Sequence, residues 1–202
     1  MANSRISRLV ILALMVALIP LTACGGRTPP AKFYTLQPVD QPSPEMVWPR
    51  GVALSVGPVA IPADIDRAEI VTRDDGNEVS FSEYHRWAGP IQNRIAEVMS
   101  QNIASLAETE RVTPHNRENI FQATHRVVIN INRYDSQLSI GFDLDATWSI
   151  KDLRNRKILV IRNSIIRESL ASSGYDGLVA AQSRALAALS RQIAAALADA
   201  VP

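Results

Sequence analysis

The chain has 202 residues, with 21 lysines and arginines against 20 aspartates and glutamates, so its formal net charge is only +1. A near-neutral chain lacks the basic surface that nucleic-acid binding requires, so nucleic acid is not an expected partner. The chain contains a single cysteine, Cys24, which excludes an intramolecular disulfide. A folded domain must therefore be stabilised by its apolar core.

The first 23 residues are typical of a secretory signal peptide. Arg5 and Arg8 precede an apolar run, 9–21, which is shorter than the roughly 20 residues of a membrane-spanning helix. Residues 21–25 then read LTACG, which resembles the lipobox of bacterial lipoproteins, where small residues precede a lipidated cysteine. We expect cleavage after residue 23 and lipidation of Cys24. The alternative is an ordinary signal peptide with an unrelated cysteine.

The residue after the cysteine bears on localisation. In enteric bacteria, an aspartate directly after the lipidated cysteine resembles a signal for retention in the inner membrane. This chain has Gly25 at that position instead. By that analogy, we expect Cys24 to hold the protein by membrane lipid at the periplasmic face of the outer membrane.

Residues 24–50 are predicted to form the lipidated end and a proline-rich tether. Six of the chain's 12 prolines fall within 25–50, and proline-rich segments stay extended. The apolar tetrapeptide FYTL predicts a short docking strand near 33–36. A single α+β domain is expected over 51–202.

Hydrophobic periodicity predicts strands, a helix, three strands and a second helix. The predicted elements are strand 52–59, hairpin strands 69–73 and 78–81, helix 88–108, strands 125–133, 138–151 and 157–166, and helix 176–200. This order predicts an α+β fold in which a mostly antiparallel sheet carries two long helices on one face.

The predicted strand 138–151 has the most regular alternation in the chain. Its apolar positions include Leu138, Ile140 and Trp148, which are expected on a buried face. Asp143 and Asp145 then share the solvated face. Paired carboxylates can serve acid–base chemistry or bind a cation, but a solvated sheet face or a partner contact is the preferred interpretation.

No motif in the sequence carries catalytic or metal chemistry. His85, His115 and His125 lack metal-ligand spacing and are expected at the surface or at its boundary. Nucleophile-elbow and phosphate-binding glycine motifs are also missing from the sequence. We therefore expect no catalytic residue, no metal site and no cofactor.

Four sequence segments carry a resemblance to a known family, which covers nearly all the mature chain and is strongest over 56–91. They are 33–36 (FYTL), 56–62 (VGPVAIP), 66–73 (DRAEIVTR) and 86–91 (RWAGPI). The series is similar to the ABC-type transport auxiliary lipoproteins, the PqiC-like family. The chain departs from the family pattern at Asp64-Ile65, where Tyr-Leu is expected, and at Gly89, where Glu is expected.

The resemblance implies a non-enzymatic lipoprotein subunit of an MCE-type intermembrane lipid transport system. Its expected partners are an MCE-domain protein, which it would dock at the outer membrane, and the inner-membrane permease of that system. A homo-oligomeric ring is plausible by analogy with the rings of MCE proteins. The alternatives are a structural or assembly lipoprotein of another envelope machine, for secretion or lipopolysaccharide export, and a periplasmic hydrolase.

Candidate contacts to a partner or a lipid headgroup lie before and within the predicted hairpin. Arg67 and Arg73 can make charge-assisted hydrogen bonds, and Asp66 lies beside them. Trp48 in the tether is compatible with either an exposed contact or core packing. The alternative for the two arginines is pairing within the chain, with Asp64, Asp66 or Asp74.

Overall fold

The described part of the chain forms eight strands in two sheets and two long helices. The computed structural model describes residues 29–39, 47–73 and 76–201, apart from the side chains of residues 118–120. In chain order the elements are β1 (Lys32–Tyr34), β2 (Leu54–Ala60), β3 (Glu69–Thr72), β4 (Ser80–Trp87), α1 (Ile91–Leu106), β5 (Val112–Pro114), a short 3-10 helix (His115–Ile120), β6 (His125–Gln137), β7 (Gly141–Asp152), β8 (Lys157–Ser169) and α2 (Gly174–Ala200). This is the predicted α+β class. The predicted signal peptide and Cys24 lie outside the described residues.

The larger sheet has five strands in the order β5-β2-β6-β7-β8. The three long strands β6, β7 and β8 form an antiparallel meander, which is the predicted arrangement. β2 instead pairs in parallel with both β5 and β6. Parallel neighbours need a long crossover, and here the chain between β2 and β6 includes α1.

The two helices cover one face of the larger sheet, as predicted. α1 packs on β2 and β5, α2 packs on β7 and β8, and the helices contact each other. The sheet residues beneath them are buried, and on β7 they are Phe142, Leu144, Ala146, Trp148 and Ile150. On β7, the opposite face carries the intervening polar side chains, such as Asp143 and Asp145. No helix in these described ranges is long and apolar enough to cross a membrane.

The boundary between β6 and β7 differs from the prediction. β6 continues to Gln137, so residues 138–140 form a turn and not the start of a buried strand. Ile140 lies in this turn with 67% of its surface exposed. The alternation of apolar residues continues in phase through the turn, so it did not mark the end of β6. Gly141 does mark the start of β7, because a Cβ there would overlap the carbonyl oxygen of Glu168.

The smaller sheet has three strands in the order β1-β4-β3. β1 lies in the predicted docking segment and pairs in parallel with β4, while β3 and β4 are antiparallel. Between β3 and β4, Gly76 has a φ of +61°, a value that glycine adopts without strain. Residues 74 and 75 of the predicted turn lie outside the described residues.

The segment that follows β1 is fastened to both helices. Leu36 is fully buried, and its carbonyl oxygen accepts hydrogen bonds from Arg94 Nε at 2.9 Å and Nη2 at 2.7 Å. The Val39 amide donates to Asn102 Oδ1 on α1 at 2.9 Å, and the Gln37 amide donates to Ser183 Oγ on α2 at 3.2 Å. Residues from Ala31 onward accordingly form one compact unit.

A chain of hydrogen bonds that starts at the buried Trp148 joins β7, β8 and α2, and it predicts a stability effect. Trp148 Nε1 donates to Ser164 Oγ at 2.9 Å, and Ser164 Oγ donates to Gln192 Oε1 at 2.6 Å. Ser164→Ala leaves the buried indole N–H without its acceptor, so we expect a loss of about 1–3 kcal/mol in the free energy of unfolding. Urea denaturation measures it, with Ser139→Ala in the exposed β6–β7 turn as the control. Equal stability of the two variants would show that these hydrogen bonds do not stabilise the fold.

His125 predicts a pH dependence of stability. Burial lowers the pKa of His125, although the carboxylate of Asp152 partly opposes this shift. Unfolding therefore takes up a proton below the ordinary histidine pKa of about 6.5, so the stabilising contribution is present above that pH and is lost as the pH falls through it.

We expect the melting temperature to fall between about pH 7.5 and about pH 5.5, before most carboxylates titrate. His125→Asn keeps a polar atom close to the position of Nδ1, which lies 2.8 Å from Thr124 Oγ1. This variant should show a smaller fall than the unaltered protein. Thermal melts at the two pH values measure the difference, and an unchanged fall would rule out His125 as its source.

Candidate contact surface

A row of three side chains crosses the outer face of the smaller sheet. Arg86 on β4 is the register partner of both Phe33 on β1 and Glu69 on β3. Register partners project from the same face of a sheet. The ion pair between Arg86 Nη2 and Glu69 Oε1, at 2.9 Å, agrees with this placement.

Arg67 completes the group from the loop before β3. Its Nε donates to Glu69 Oε2 at 3.0 Å, and its guanidinium carbon lies 3.7 Å from the centre of the Phe81 ring. The hydrogen bond from Arg67, together with the charge of Arg86, lowers the pKa of Glu69. We call Phe33, Arg67, Glu69, Phe81 and Arg86 the Arg67 cluster.

The Arg67 cluster is open to solvent. Phe33 and Phe81 are 66% and 45% exposed. The two arginines outnumber the single carboxylate, so the cluster carries one net positive charge. Exposed aromatic rings beside guanidinium groups are the side chains that protein interfaces favour at their centres.

A groove adjoins the Arg67 cluster at the junction between β4 and α1. Residues 87–91 line two cavities of about 390 Å³ and about 290 Å³, and the larger one is also lined by Asp66 and Arg67. Backbone hydrogen bonds fix this junction, because the amide of Trp87 donates to the carbonyl of Ala68 at 2.7 Å and the amide of residue 88 donates to the carbonyl of residue 34 at 2.8 Å. A Cβ at Gly89 would meet no atom within 4 Å, so the glutamate of the family pattern would have space there.

The structure brings two of the predicted contact residues together. Asp66 is exposed and lines the groove beside Arg67. The ion-pair partner of Arg67 is Glu69, and not one of the aspartates that were considered.

Arg73 and Trp48 lie apart from the Arg67 cluster. Arg73 Nε lies 3.4 Å from Asp135 Oδ1, and its amide donates to the Ser136 carbonyl at 2.8 Å, so it joins β3 to β6. Asp135 was not among the predicted partners, and Asp74 lies outside the described residues. Trp48 is half-buried against the core, and its Nε1 donates to the Val52 carbonyl at 3.4 Å.

The other polar residues considered in the sequence, Asp143 and Asp145, make contacts within the protein. Asp145 lies on the open face of the larger sheet and accepts hydrogen bonds from Asn132 at 3.0 Å and Asn163 at 2.7 Å, which lower its pKa. Asp143 lies 3.6 Å from Arg167 on the same face. Within residues 29–39, 47–73 and 76–201, no group of three or more His, Cys, Asp or Glu side chains is placed to hold a metal ion. His125 is buried, contrary to the expectation of a surface or boundary position.

Sequence reasoning missed the exposed apolar residues. Phe33 and Phe81 were interpreted only as apolar positions of short strands, and a strand of a few residues does not reveal which face is covered. A second set lies on β8, where Ile158, Ile161 and Ile165 are 49%, 66% and 62% exposed. The sequence signal for this set was the presence of three isoleucines on one edge strand, since edge strands normally carry charge.

Comparison with known proteins identifies the family. The family model described as the ABC-type transport auxiliary lipoprotein component matches residues 34–194. The chain belongs to this family. The matched region contains every residue of the Arg67 cluster except Phe33, together with the whole groove.

Solved structures share the fold of this auxiliary lipoprotein. Protein XCC0632 from Xanthomonas campestris is similar with a TM-score of 0.66 and 16% identity, over 81% of this chain and 93% of that one. A crystal structure of an uncharacterized protein gives a TM-score of 0.68 at 14% identity, over 83% and 98%. Identities this low establish the shared fold alone. No curated protein matches the chain.

Proposed function

We propose that this protein is a non-enzymatic, lipid-anchored subunit that docks an MCE-type lipid transporter at the outer membrane. Membership of the auxiliary lipoprotein family supports the association with a transport system. The Arg67 cluster is the observation that carries the docking role, because Phe33 and Phe81 are large rings held open to solvent on a folded sheet. The partners would be the periplasmic MCE-domain protein and, through it, the inner-membrane permease.

The anchor of this subunit would be Cys24. Its setting in LTACG favours lipidation of the thiol, and Gly25 favours transfer to the outer membrane. A lipid anchor gives the transporter a fixed point at the membrane where its cargo is delivered or collected. Mass spectrometry of the N-terminal peptide would detect the acyl groups on Cys24.

The chemistry of the Arg67 cluster defines the partner segment that it fits. Its two rings would bury against apolar side chains, and Arg86 and Arg67 would meet carboxylate or carbonyl oxygens. Asp66 at the edge of the groove would add a hydrogen-bond acceptor. Arg73 and Trp48 are held by contacts within the chain, so any partner contact that they make belongs to a separate surface.

If the Arg67 cluster is the docking surface, removing its side chains should weaken binding of the transporter. We expect Phe33→Ser and Arg67→Ala each to lower recovery of the MCE protein roughly tenfold in a crosslinking pull-down from membranes, equivalent to about 1.4 kcal/mol of binding. Arg50→Ala, at another exposed arginine, is the matched control. Melting temperatures close to that of the unaltered protein would confirm that the variants are folded.

Two results would contradict this role. One is unchanged recovery of the MCE protein by both folded variants. The other is recovery of a secretion or lipopolysaccharide-export component in place of the MCE protein, which would favour an assembly subunit of another envelope machine.

A second copy of the chain is a further proposed partner, and β8 is the surface that favours it. β8 is an edge strand, so one side of its backbone has no neighbouring strand in the sheet. Ile161 and Ile165 project from it with most of their surface exposed. An apolar edge strand readily pairs with another chain, and successive pairings of this kind can close into a ring.

If copies of the chain associate through β8, a charged substitution on this strand should lower the mass of the assembly. We expect Ile165→Lys to shift the detergent-solubilised lipoprotein from a multimer to a monomer in native mass spectrometry, since an inserted lysine would have to be buried at the contact. Ile140→Lys, at an equally exposed isoleucine in the β6–β7 turn, should leave the multimer intact. A monomeric unaltered protein would exclude the ring.

A further inference from the structure

The turn between β6 and β7 presents an apolar tip without charge. Its three residues are Leu138, Ser139 and Ile140, and we call them the β6–β7 tip. Ile140 is 67% exposed, and its amide donates to the Gln137 carbonyl at 3.3 Å, so the turn is closed by a backbone hydrogen bond. The tip therefore holds an isoleucine out in solvent with no charged residue among its three members.

The strand that leads to the tip is held in place by two other elements. The Arg73 amide after β3 donates to the Ser136 carbonyl at 2.8 Å, and Gln182 Nε2 on α2 donates to Ser136 Oγ at 2.9 Å. Arg73 Nε also lies 3.4 Å from Asp135 Oδ1. The strand end that carries the tip is therefore joined both to the segment after β3 and to α2.

The tip lies at the end of the domain where the tether enters. Side-chain contacts pair Arg184 with Glu168 and Gln192 with Ser164, so α2 runs antiparallel to β8 and begins beyond the end of β8. The end of β8 is also the start of β7, because Ser169 is the register partner of Gly141. The first turn of α2 and the tip therefore share one end of the domain.

β1 begins at this same end. The ring of Tyr175, in the first turn of α2, stacks on His85 with 3.9 Å between ring centres. His85 is in turn the register partner of Lys32, the first residue of β1. The chain that leads from the anchor thus enters the domain beside the start of α2.

The length of the tether limits how far this end can be from the membrane. Seven residues separate Cys24 from Lys32, and an extended chain over that interval spans at most about 29 Å. The far end of the sheet, at Ile158, lies roughly 36 Å along β8 from Ser169. With Cys24 in the membrane, the end that bears the tip is the one that the anchor brings to the lipid surface.

We propose that the β6–β7 tip inserts into the phospholipid surface and orients the lipid-anchored domain. The inference rests on the lipid anchor of the proposed function and adds a second point of contact to it. Ile140 would enter the apolar margin of the bilayer, while Leu138 packs partly against the core and supports the turn. Tyr34 and Tyr175 lie at the same end, and tyrosine is enriched at the level of lipid headgroups. Lys32 and Asp176 are exposed there with opposite charges, so they add no net repulsion.

The test uses the full lipoprotein with one added cysteine. Cys24 is the only cysteine in the chain, and its lipidated thiol cannot react, so Ile140→Cys can be labelled uniquely with an NBD fluorophore. The labelled protein is placed in vesicles of phosphatidylethanolamine and phosphatidylglycerol that contain a headgroup-nitroxide lipid as quencher. Arg156→Cys, in the exposed β7–β8 turn at the opposite end of the sheet, is the matched control.

The expected result is quenching of the label at position 140, with its emission shifted to shorter wavelength, and no quenching at position 156. Absence of quenching at 140, or equal quenching at both positions, overturns the inference. A wavelength shift at 140 without quenching by lipid also overturns it, since the tip would then be covered by protein.

A separate measurement distinguishes failure of the inference from failure of the proposed function. Mass spectrometry establishes whether Cys24 carries lipid before the vesicle experiment. A missing lipid overturns both the anchor and the tip contact. An acylated protein that recovers the MCE partner but shows no quenching at position 140 overturns the tip contact alone.

Discussion

The position of β1 and of the segment that follows it depends on one carbonyl group, that of Leu36. Arg94 on α1 donates two hydrogen bonds to this oxygen, and hydrogen bonds from a charged group contribute roughly 1.5–3 kcal/mol each. Glu97 lies 3.3 Å from Arg94 and offsets its charge. Because the Leu36 side chain is also fully buried, the chain that leads to the tether is fixed by packing and by hydrogen bonding. This contact therefore holds the segment after β1 against α1.

The same contact determines which side chains form the Arg67 cluster. With Leu36 in the core, Tyr34 lies beside Trp87 in the parallel pair of β1 and β4. Successive strand residues project to opposite faces, so Phe33 must turn outward beside Arg86. The exposure of Phe33 is thus a consequence of register. The proposed docking surface and the tether share β1, and a change that released Leu36 would disturb both.

The sequence predicted the elements that are long enough to carry their own pattern, and it failed where structure depends on distant contacts. The two helices and the meander of β6 to β8 follow from periodicity, because each spans several repeats of its pattern. Ile140 was misplaced since the alternation passes through the turn without a break. The parallel pairing of β2 and the ion pair of Arg67 with Glu69 are set by tertiary packing, which local pattern does not encode. Arg67 and Asp66 were proposed as contacts because charged and apolar residues are mixed around them, whereas Phe33 was not considered because β1 has only three residues.

The open face of the larger sheet limits how a second copy could bind. Asn163 lies between Ile161 and Ile165 on β8 and donates to Asp145, whose lowered pKa keeps it charged near neutral pH. Face-to-face packing of two sheets would remove this carboxylate from water, and burial of a charge is costly unless new partners replace the lost hydration. Contact along the edge of β8 would place side chains of the second copy beside the isoleucines and leave Asp145 solvated. The polar residues beside the isoleucines therefore favour edge-to-edge association over stacking, which would leave the β6–β7 tip and the Arg67 cluster free for the membrane and the transporter.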